Sequence, residues 1–260
     1  MRAQHHTGAG GGREERLVVD RRPCRTARPR TLTGAVFVPH PYVLPVVGAL
    51  GTWAHRLPSA RKSVWARLHR AVLDELGSRG RLDWSRCAID SVSIRALKGG
   101  KLTGSDPTDR GKKGSKIHLI CDRTGLPISL AISGANLHDS QALEPSIRGV
   151  PSIRSRRGPR RRRPAKLHGD KGYAYDHLRR RLRERGIVPR IARRGIESSQ
   201  RLGSHRRVVE RTMSRLAGCR RLHRRYERKA ERFLAFAGIS AVLICLRRLV
   251  RADAQNRSAS

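Results

Sequence analysis

The chain has 260 residues, enough for one large domain whose apolar core needs no disulfide or metal staples. Lysine and arginine number 58 against 20 acidic residues, a formal net charge of +38, so we expect attraction to a polyanion such as nucleic acid. The five cysteines lie far apart and form no C-x-x-C pair, which argues against a disulfide framework or a zinc site and favours a reducing cytoplasm.

The N-terminal quarter of the chain shows no consistent periodicity. Residues 1–62 are basic and rich in glycine and proline. We assign them to no domain and expect them to be disordered. The apolar stretch Phe233 to Leu246 is too short to span a bilayer and is predicted to be a buried helix. Because the basic residues are spread along the chain and do not gather on one amphipathic helix, no membrane partner is expected.

A periodic pattern begins at Val64, where apolar residues recur at spacings of three and four. This pattern predicts an amphipathic helix that ends at Gly77. A strand follows at Cys87 to Ile94, with Asp90 in its middle. A glycine-rich basic loop, Lys98 to Ser115, separates this strand from the next.

Strands and helices alternate through the rest of the chain. The predicted elements are strands Lys116–Cys121 and Pro127–Ser133, helix Asp139–Ile147, strand Lys166–His168, helix Asp176–Arg185, strand Val188–Ala192, and helices Arg206–Leu216 and Tyr226–Val250. This order is that of the ribonuclease-H-like fold, an α/β architecture with a five-stranded mixed sheet flanked by helices. We expect this domain to occupy residues 86–250, followed by a tail at 251–260.

A run of arginines from Arg154 to Arg163 is broken only by a few other residues, among them Gly158 and Pro159. So dense a set of like charges is expected to repel itself. The run is therefore predicted to be unable to pack, and to form a solvated loop or one that contacts phosphates.

Three acidic residues lie at informative positions: Asp90 within the first strand, Asp170 directly after the fourth, and Glu210 on a late helix. In the predicted fold the first and fourth strands are neighbours, about 4.8 Å apart, so Asp90 and Asp170 could face each other. A helix packed over that edge could add Glu210. Carboxylates so close repel one another unless cations lie between them, and oxygen ligands suit Mg²⁺ or Mn²⁺.

Each acidic residue also has a structural interpretation. Asp170 could be a salt-bridged loop residue in so basic a chain, and Glu197 competes with Glu210 for the third position. Asp122 is explained as a turn residue and Asp139 as a helix cap. The carboxylate triad therefore remains a hypothesis at this point.

Several motifs, in the same order, resemble those of the DDE transposases of bacterial insertion sequences, specifically the insertion-sequence-five group. The segments are Ala88-Ile89-Asp90-Ser91, Asp109 to His118, Ala135-Asn136-Leu137-His138-Asp139-Ser140, Gly169-Asp170-Lys171-Gly172-Tyr173 and Arg206 to Arg211. The resemblance covers about residues 64–250.

The resemblance implies a catalytic triad of Asp90, Asp170 and Glu210 that binds Mg²⁺, with Mn²⁺ as a possible substitute. It implies DNA as the partner, both the terminal inverted repeats and the target, bound by a homo-oligomer in the bacterial cytoplasm at the nucleoid. The basic residues expected to contact DNA are Lys112, Lys113, Lys116, Arg160, Arg161, Arg162, Arg163, Lys171, Arg206 and Arg207. His168 and Lys171 flank Asp170 and could contact a phosphate, or could be ordinary loop residues.

Two features depart from the family pattern. A basic residue is often found seven places after the catalytic glutamate, where this chain has Ala217. Residues 1–62 do not resemble the usual N-terminal DNA-binding region, of which residues 63–85 would be a helical remnant. We expect that a frameshift or a misplaced start removed it, which would leave this copy inactive. The alternative function is a non-catalytic basic DNA-binding protein, such as a decayed transposase remnant.

Overall fold

The computed structural model describes residues 38–39, 64–193 and 199–257, with side chains described at 64–193 and at 207–257 except residue 256. The expectations for residues 1–62, apart from the backbone of residues 38–39, and the alternative assignment of Glu197 lie outside the described residues.

One mixed sheet forms the centre of the fold. Its strands are β1 (Val38–Pro39), β2 (Cys87–Arg95), β3 (Gly104–Ser105), β4 (Lys113–Asp122), β5 (Pro127–Gly134), β6 (Lys166–Gly169) and β7 (Val188–Ile191). The strand order is β1-β5-β4-β2-β6-β7, and β3 pairs with β4 at one end. Strands β2, β4 and β5 form an antiparallel meander, whereas β2, β6 and β7 run parallel.

The five predicted strands are all present, and the predicted ribonuclease-H-like order is confirmed. Short runs rich in apolar residues identified them because each strand contributes buried residues to the core. The two additional strands, β1 and β3, have only two residues each, too few to show a period.

Five α-helices and two short 3₁₀ turns surround the sheet in the described residues. They are α1 (Val64–Ser78), α2 (Ser140–Arg148), the turn Lys171–Tyr173, α3 (Asp176–Glu184), α4 (Ser199–Ala217), the turn Arg220–Leu222 and α5 (Ala230–Arg257). On one face of the sheet, buried residues of α1, α2, α3 and the second half of α5 form a core cluster. On the other face, α4 and the first half of α5 pack over β2, β4 and β5.

Helix α5 is longer than the sequence pattern indicated. It extends to Arg257, and Ala252 is buried, so most of the segment predicted as a tail continues the helix. By length and composition α5 is the one described helix that could cross a membrane, because an 18-residue window within Ala230–Gln255 has a mean hydropathy of 2.0. Its buried side chains belong to both core clusters, which explains why a core helix of this fold is so apolar.

Candidate catalytic site

Asp90 and Asp170 are positioned by two neighbouring parallel strands. Strands β2 and β6 pair in the register Cys87 with Leu167 and Ala88 with His168. Extending this register by two residues places Asp90 beside Asp170, and because side chains alternate along a strand, both lie on the face that carries Ala88 and His168. Both aspartates are half-buried. The sheet therefore brings these two acids to the same edge.

Backbone N–H groups hold the two carboxylates. The Ser91 N–H donates to Oδ1 of Asp90 at 2.8 Å. The Gly172 N–H donates to Oδ1 of Asp170 at 3.0 Å, so that Asp170 is the N-cap of the 3₁₀ turn. Hydrogen bonds of this kind stabilise the charged form of a carboxylate and fix its orientation.

The glycines of Gly169-Asp170-Lys171-Gly172-Tyr173 are explained by close packing around Asp170. A Cβ atom at Gly169 would lie 3.2 Å from Ile89 Cγ2 and 3.2 Å from Tyr173 Cδ2. A Cβ atom at Gly172 would lie 3.0 Å from Asp170 Oδ1. Side chains at either position would therefore displace the strand end or the carboxylate itself.

Tyr173 lies at the centre of the acidic residues. Its side chain is buried, and burial raises its pKa well above the usual value, as do the nearby carboxylates of Asp139, Asp90 and Asp170. The phenol therefore keeps its proton at neutral pH.

Asp139 belongs to this site, although the sequence reasoning assigned it to a helix cap. It occupies the N-cap position of α2 but makes no capping hydrogen bond with its side chain. Instead its Oδ1 accepts from Ser91 Oγ at 2.9 Å and from Lys116 Nζ at 3.1 Å. The assignment as a cap was wrong because the tertiary partners of Asp139 satisfy its carboxylate first. The only signal for its role was its place in the motif Ala135 to Ser140.

Glu210 lies on α4 with an exposed side chain. Helix α4 packs over the face of β2, β4 and β6, but Glu210 does not complete a metal-binding cluster with the aspartates. Among the residues whose side chains are described, no three histidine, cysteine, aspartate or glutamate side chains lie close enough to hold one ion. The structure thus brings together Asp90 and Asp170, and the described side chains form no metal-binding cluster that includes Glu210.

The pair Asp90 and Asp170 nevertheless suits a hard divalent cation. Such ions prefer carboxylate oxygens, and both acids present them from half-buried positions. Neither sulfur nor imidazole is needed for an ion of this class. The chemistry of the donor atoms therefore fits Mg²⁺ or Mn²⁺.

The predicted DNA-binding residues fall into two groups. Lys112, Lys113, Lys171 and Arg207 are exposed and available to a phosphate. Lys116 is half-buried, and its ammonium donates to Asp139 and to the Leu137 carbonyl at 2.9 Å. Its charge is thus used inside the site. The side chain of Arg206 lies outside the described residues.

The arginine run is an exposed loop, as predicted, but several of its side chains contact the protein. Arg160 forms an ion pair with Asp74, with distances of 2.8 and 3.0 Å to the two carboxylate oxygens. Arg162 donates to the Arg148 carbonyl at 3.0 Å, and Arg163 donates to the Arg185 carbonyl at 3.2 Å. The guanidinium of Arg161 lies 6.0 Å from the centre of the Trp84 ring. The run is exposed, but several of its charges are directed back to the protein.

Comparisons with known proteins indicate the family of the chain. Residues 83–246 match the family described as the transposase DDE domain. A Burkholderia cepacia protein named as a candidate transposase for insertion sequence element IS402 is 44% identical over 151 residues, which cover 58% of this chain and 72% of that protein. An uncharacterized 16.2 kDa protein of the same element is 46% identical over 44 residues, 17% of this chain and 30% of that protein.

Solved structures with a similar arrangement include two complexes of Mos1. The Mos1 strand transfer complex matches with a TM-score of 0.36 and 13% identity, and the Mos1 mariner paired end complex with Mn with a TM-score of 0.33 and 14% identity. Each match covers 77% of this chain and 63% or 64% of the Mos1 chain, just under two thirds of its length. The fold assignment rests on the strand order above.

The family match extends over more than half of the chain and contains Asp90, Asp139, Asp170 and Glu210. The chain therefore belongs to the DDE transposase family. Its general class is that of nucleases and transesterases acting in transposition.

Proposed function

We propose that this transposase cleaves the DNA at the ends of an insertion sequence and joins those ends to a target, with Asp90 and Asp170 as ligands of Mg²⁺. The observation that carries the proposal is the register of β2 and β6, which, extended by two residues, supports a position of Asp90 beside Asp170. The proposal includes Glu210 as the third catalytic residue, the insertion-sequence-five group as the subfamily, and a homo-oligomer assembled on two DNA ends at the bacterial nucleoid.

The divalent cation, when bound, would supply Lewis-acid activation of the attacking oxygen and charge stabilisation of the leaving oxygen in phosphodiester displacement. The chain's own residues set the geometry for this chemistry. Asp90 and Asp170 provide the oxygen ligands, while the N–H groups of Ser91 and Gly172 fix the orientation of the carboxylates. Lys171 is exposed next to Asp170, which supports its assignment as a contact to a phosphate oxygen.

On this proposal Glu210 joins the aspartates from α4, which packs against both β2 and β6. Helix α4 follows residues 194–198, and it packs against β2 through Val209, which is buried beside Glu210. DNA entering between α4 and the edge of β6 would supply the negative charge that attracts the exposed Arg207 and Arg211. We infer that binding of the DNA end brings Glu210 to the metal-binding carboxylates.

The decisive experiment compares Asp170→Asn and Asp90→Asn with the wild type, using a DNA fragment that carries both ends of the element and Mg²⁺. Each substitution should lower the cleavage rate by about 1,000-fold or more, the scale expected when one catalytic group is removed. DNA binding and thermal stability should change little, because asparagine keeps the acceptor for the backbone N–H.

The matched control is Asp176→Asn, which removes an exposed carboxylate six positions after Asp170, at the start of α3. It should cleave at the wild-type rate. Equal activity of Asp170→Asn and the wild type would refute the catalytic assignment. DNA binding without cleavage by the wild type would instead favour the alternative of a non-catalytic remnant.

A further inference from the structure

A second charged region lies away from the aspartates. A cavity of about 800 Å³ opens at the amino end of β2, between the loop before this strand, α4 and α5. We name it the arginine groove after its six lining arginines, which are Arg81, Arg211, Arg215, Arg247, Arg248 and Arg251.

Helical spacing explains how the groove forms. Arg211 and Arg215 are four residues apart on α4, and Arg247 and Arg251 are four residues apart on α5, so each pair lies on one face of its helix. The two helices contact each other. Their arginine-bearing faces therefore turn toward the same cavity.

The charges in the groove are not compensated by the protein. Across residues 64–193 and 207–257, the structure shows no ion pair with a carboxylate for Arg81, Arg211, Arg215, Arg247 or Arg251, although many neighbouring arginines have one, such as Arg79 and Arg123. Arg248 donates to the Thr124 carbonyl at 3.1 Å, which leaves its charge in place. Burial lowers the pKa of Arg215, and so do the nearby charges of Arg211, Arg248 and Arg251.

Asp83 is the only acid among the described residues that line the groove. Its Oδ1 accepts the Ser85 N–H at 2.8 Å, and its Oδ2 lies 3.4 Å from Arg123, which is not a lining residue. The carboxylate is thus engaged by groups outside the cavity. Six guanidinium groups gathered around one acid repel one another unless an external anion enters.

The groove is close enough to the aspartates for one nucleic acid to contact both. The hairpin that contributes Thr124 to the groove begins at Asp122, which pairs with Cys87 at the start of β2. Asp90 lies three residues further along this strand, a distance of about 10 Å. A DNA strand spans the same length in about three phosphates. Helix α4 links the two regions, because it carries Arg211 and Arg215 of the groove and packs against β2, the strand that holds Asp90.

We propose that the arginine groove binds the phosphodiester backbone of the DNA whose scissile phosphate lies at Asp90 and Asp170. The inference rests on the proposed function, and it adds a binding site on α4, α5 and the loop before β2. Arginine forks match phosphate oxygens in geometry and charge. Contacts with phosphates position DNA without selecting a sequence, so this binding should be seen with DNA of any sequence.

The test is the salt dependence of binding to duplex DNA of random sequence, measured with the full chain carrying Asp170→Asn and without divalent cation. The groove variant combines Arg215→Gln, Arg247→Gln and Arg251→Gln. Each phosphate contact contributes about 0.9 to the slope of log K against log salt, so the slope should fall by about 2 to 3. The affinity at low salt should fall at least 10-fold, by the same reasoning.

The matched control combines Arg180→Gln, Arg183→Gln and Arg190→Gln, three exposed arginines on α3 and β7 that remove the same net charge. Its slope should change by less than about 1. Equal losses in the two variants would show that only net charge matters and would overturn the groove. So would an unchanged slope in the groove variant, or a loss seen with duplex RNA and not with DNA.

A third variant, with Arg215→Lys, Arg247→Lys and Arg251→Lys, guards against misfolding. It keeps the charges and should retain most of the wild-type slope; a slope as low as that of the glutamine variant would overturn the proposal. Because these measurements need no cleavage, they are separate from the test of catalysis. A wild type that binds with the expected slope but does not cut would remove the proposed function and leave the groove.

Discussion

The acidic site and the arginine groove treat charge in opposite ways. At the acidic site, Asp90 and Asp170 accept backbone N–H groups, and Asp139 binds Ser91 and Lys116. In the groove, Arg215 has three other arginines as its charged neighbours. The first region therefore has its polar partners built into the fold, whereas the second lacks opposite charge.

This difference indicates that the acidic site holds reacting groups in a fixed geometry and that the arginine groove binds DNA. Carboxylates that are held by fixed donors keep one geometry, which a metal-assisted reaction requires. Guanidinium groups without internal partners gain most from an external polyanion, because nothing in the protein has to be displaced. Removing a partner at the acidic site should consequently damage the chemistry, and removing a groove arginine should damage only binding.

The largest effect that would sharpen this comparison is expected for Asp139→Ala. The substitution leaves the half-buried Lys116 without its carboxylate and Ser91 without its acceptor, and Ser91 in turn holds Asp90. We expect cleavage to fall by about 10- to 100-fold, as for other residues that orient metal ligands. The Mg²⁺ concentration for half-maximal cleavage should rise, and DNA affinity should stay the same.

Asp139→Asn is the conservative companion to that variant. The amide oxygen can still accept from Ser91 Oγ, so cleavage should lie between that of Asp139→Ala and the wild type. Glu184→Ala, on the exposed end of α3, serves as the control. If Asp139→Ala lowered thermal stability but left the Mg²⁺ dependence unchanged, Asp139 would be a structural residue only.

The protonation of two buried histidines provides a second test. His69 is buried between α1 and β5, with Nε2 at 2.9 Å from the Pro127 carbonyl oxygen, and burial lowers its pKa from 6.5 to about 4. His118, next to Lys116 and Asp139, is also buried, and burial lowers its pKa from 6.5 to about 4. Both side chains are therefore neutral in the folded protein at pH 7.

Below pH 6.5 the unfolded chain binds protons at these histidines that the folded chain does not bind. The two neutral histidines therefore favour the folded state fully above pH 6.5. As the pH falls toward 4, the free energy of unfolding decreases by about 1 to 3 kcal/mol for each histidine. Thermal unfolding from pH 7.5 to 4 should show the decline. His69→Gln should flatten the profile, and exposed His177→Gln should not. A profile that is level from pH 6.5 to 4 would contradict the assignment of neutral histidines.

More of the acidic site than of the arginine groove could be predicted from the sequence. The strands were predictable because their periodicity is local, and Asp90 and Asp170 stood out because each lies in or directly after a strand. Asp139 was misassigned because its partners are 48 and 23 residues away, at Ser91 and Lys116. No local pattern encodes contacts of that range.

The arginine groove left no visible signal in the sequence. Its six arginines come from three separate segments, and each arginine pair on α4 or α5 has the spacing of an ordinary solvated helix face. The run at Arg154 to Arg163 was conspicuous, yet its arginines proved to have partners such as Asp74 and the Arg148 carbonyl. Density of charge along the chain therefore says less about binding than the pairing of charge in space.

The smallest expected effect is a change in the free energy of unfolding. It tests whether the pairing of charge in space matters more than the density of charge along the chain. Arg160 pairs with Asp74, and their side chains are 42% and 19% exposed. Arg160→Gln should lower the free energy of unfolding by about 0.5 kcal/mol, the usual size for a partly exposed ion pair. Arg215→Gln should leave it unchanged or raise it slightly, because the substitution relieves repulsion from Arg211, Arg248 and Arg251. Chemical denaturation with urea at low ionic strength measures both, and 0.5 M salt should shrink the difference, since screening weakens the attraction in one variant and the repulsion in the other. If Arg215→Gln destabilised the protein as much as Arg160→Gln, the groove charges would be compensated after all, and the contrast between the two arginine regions would fail.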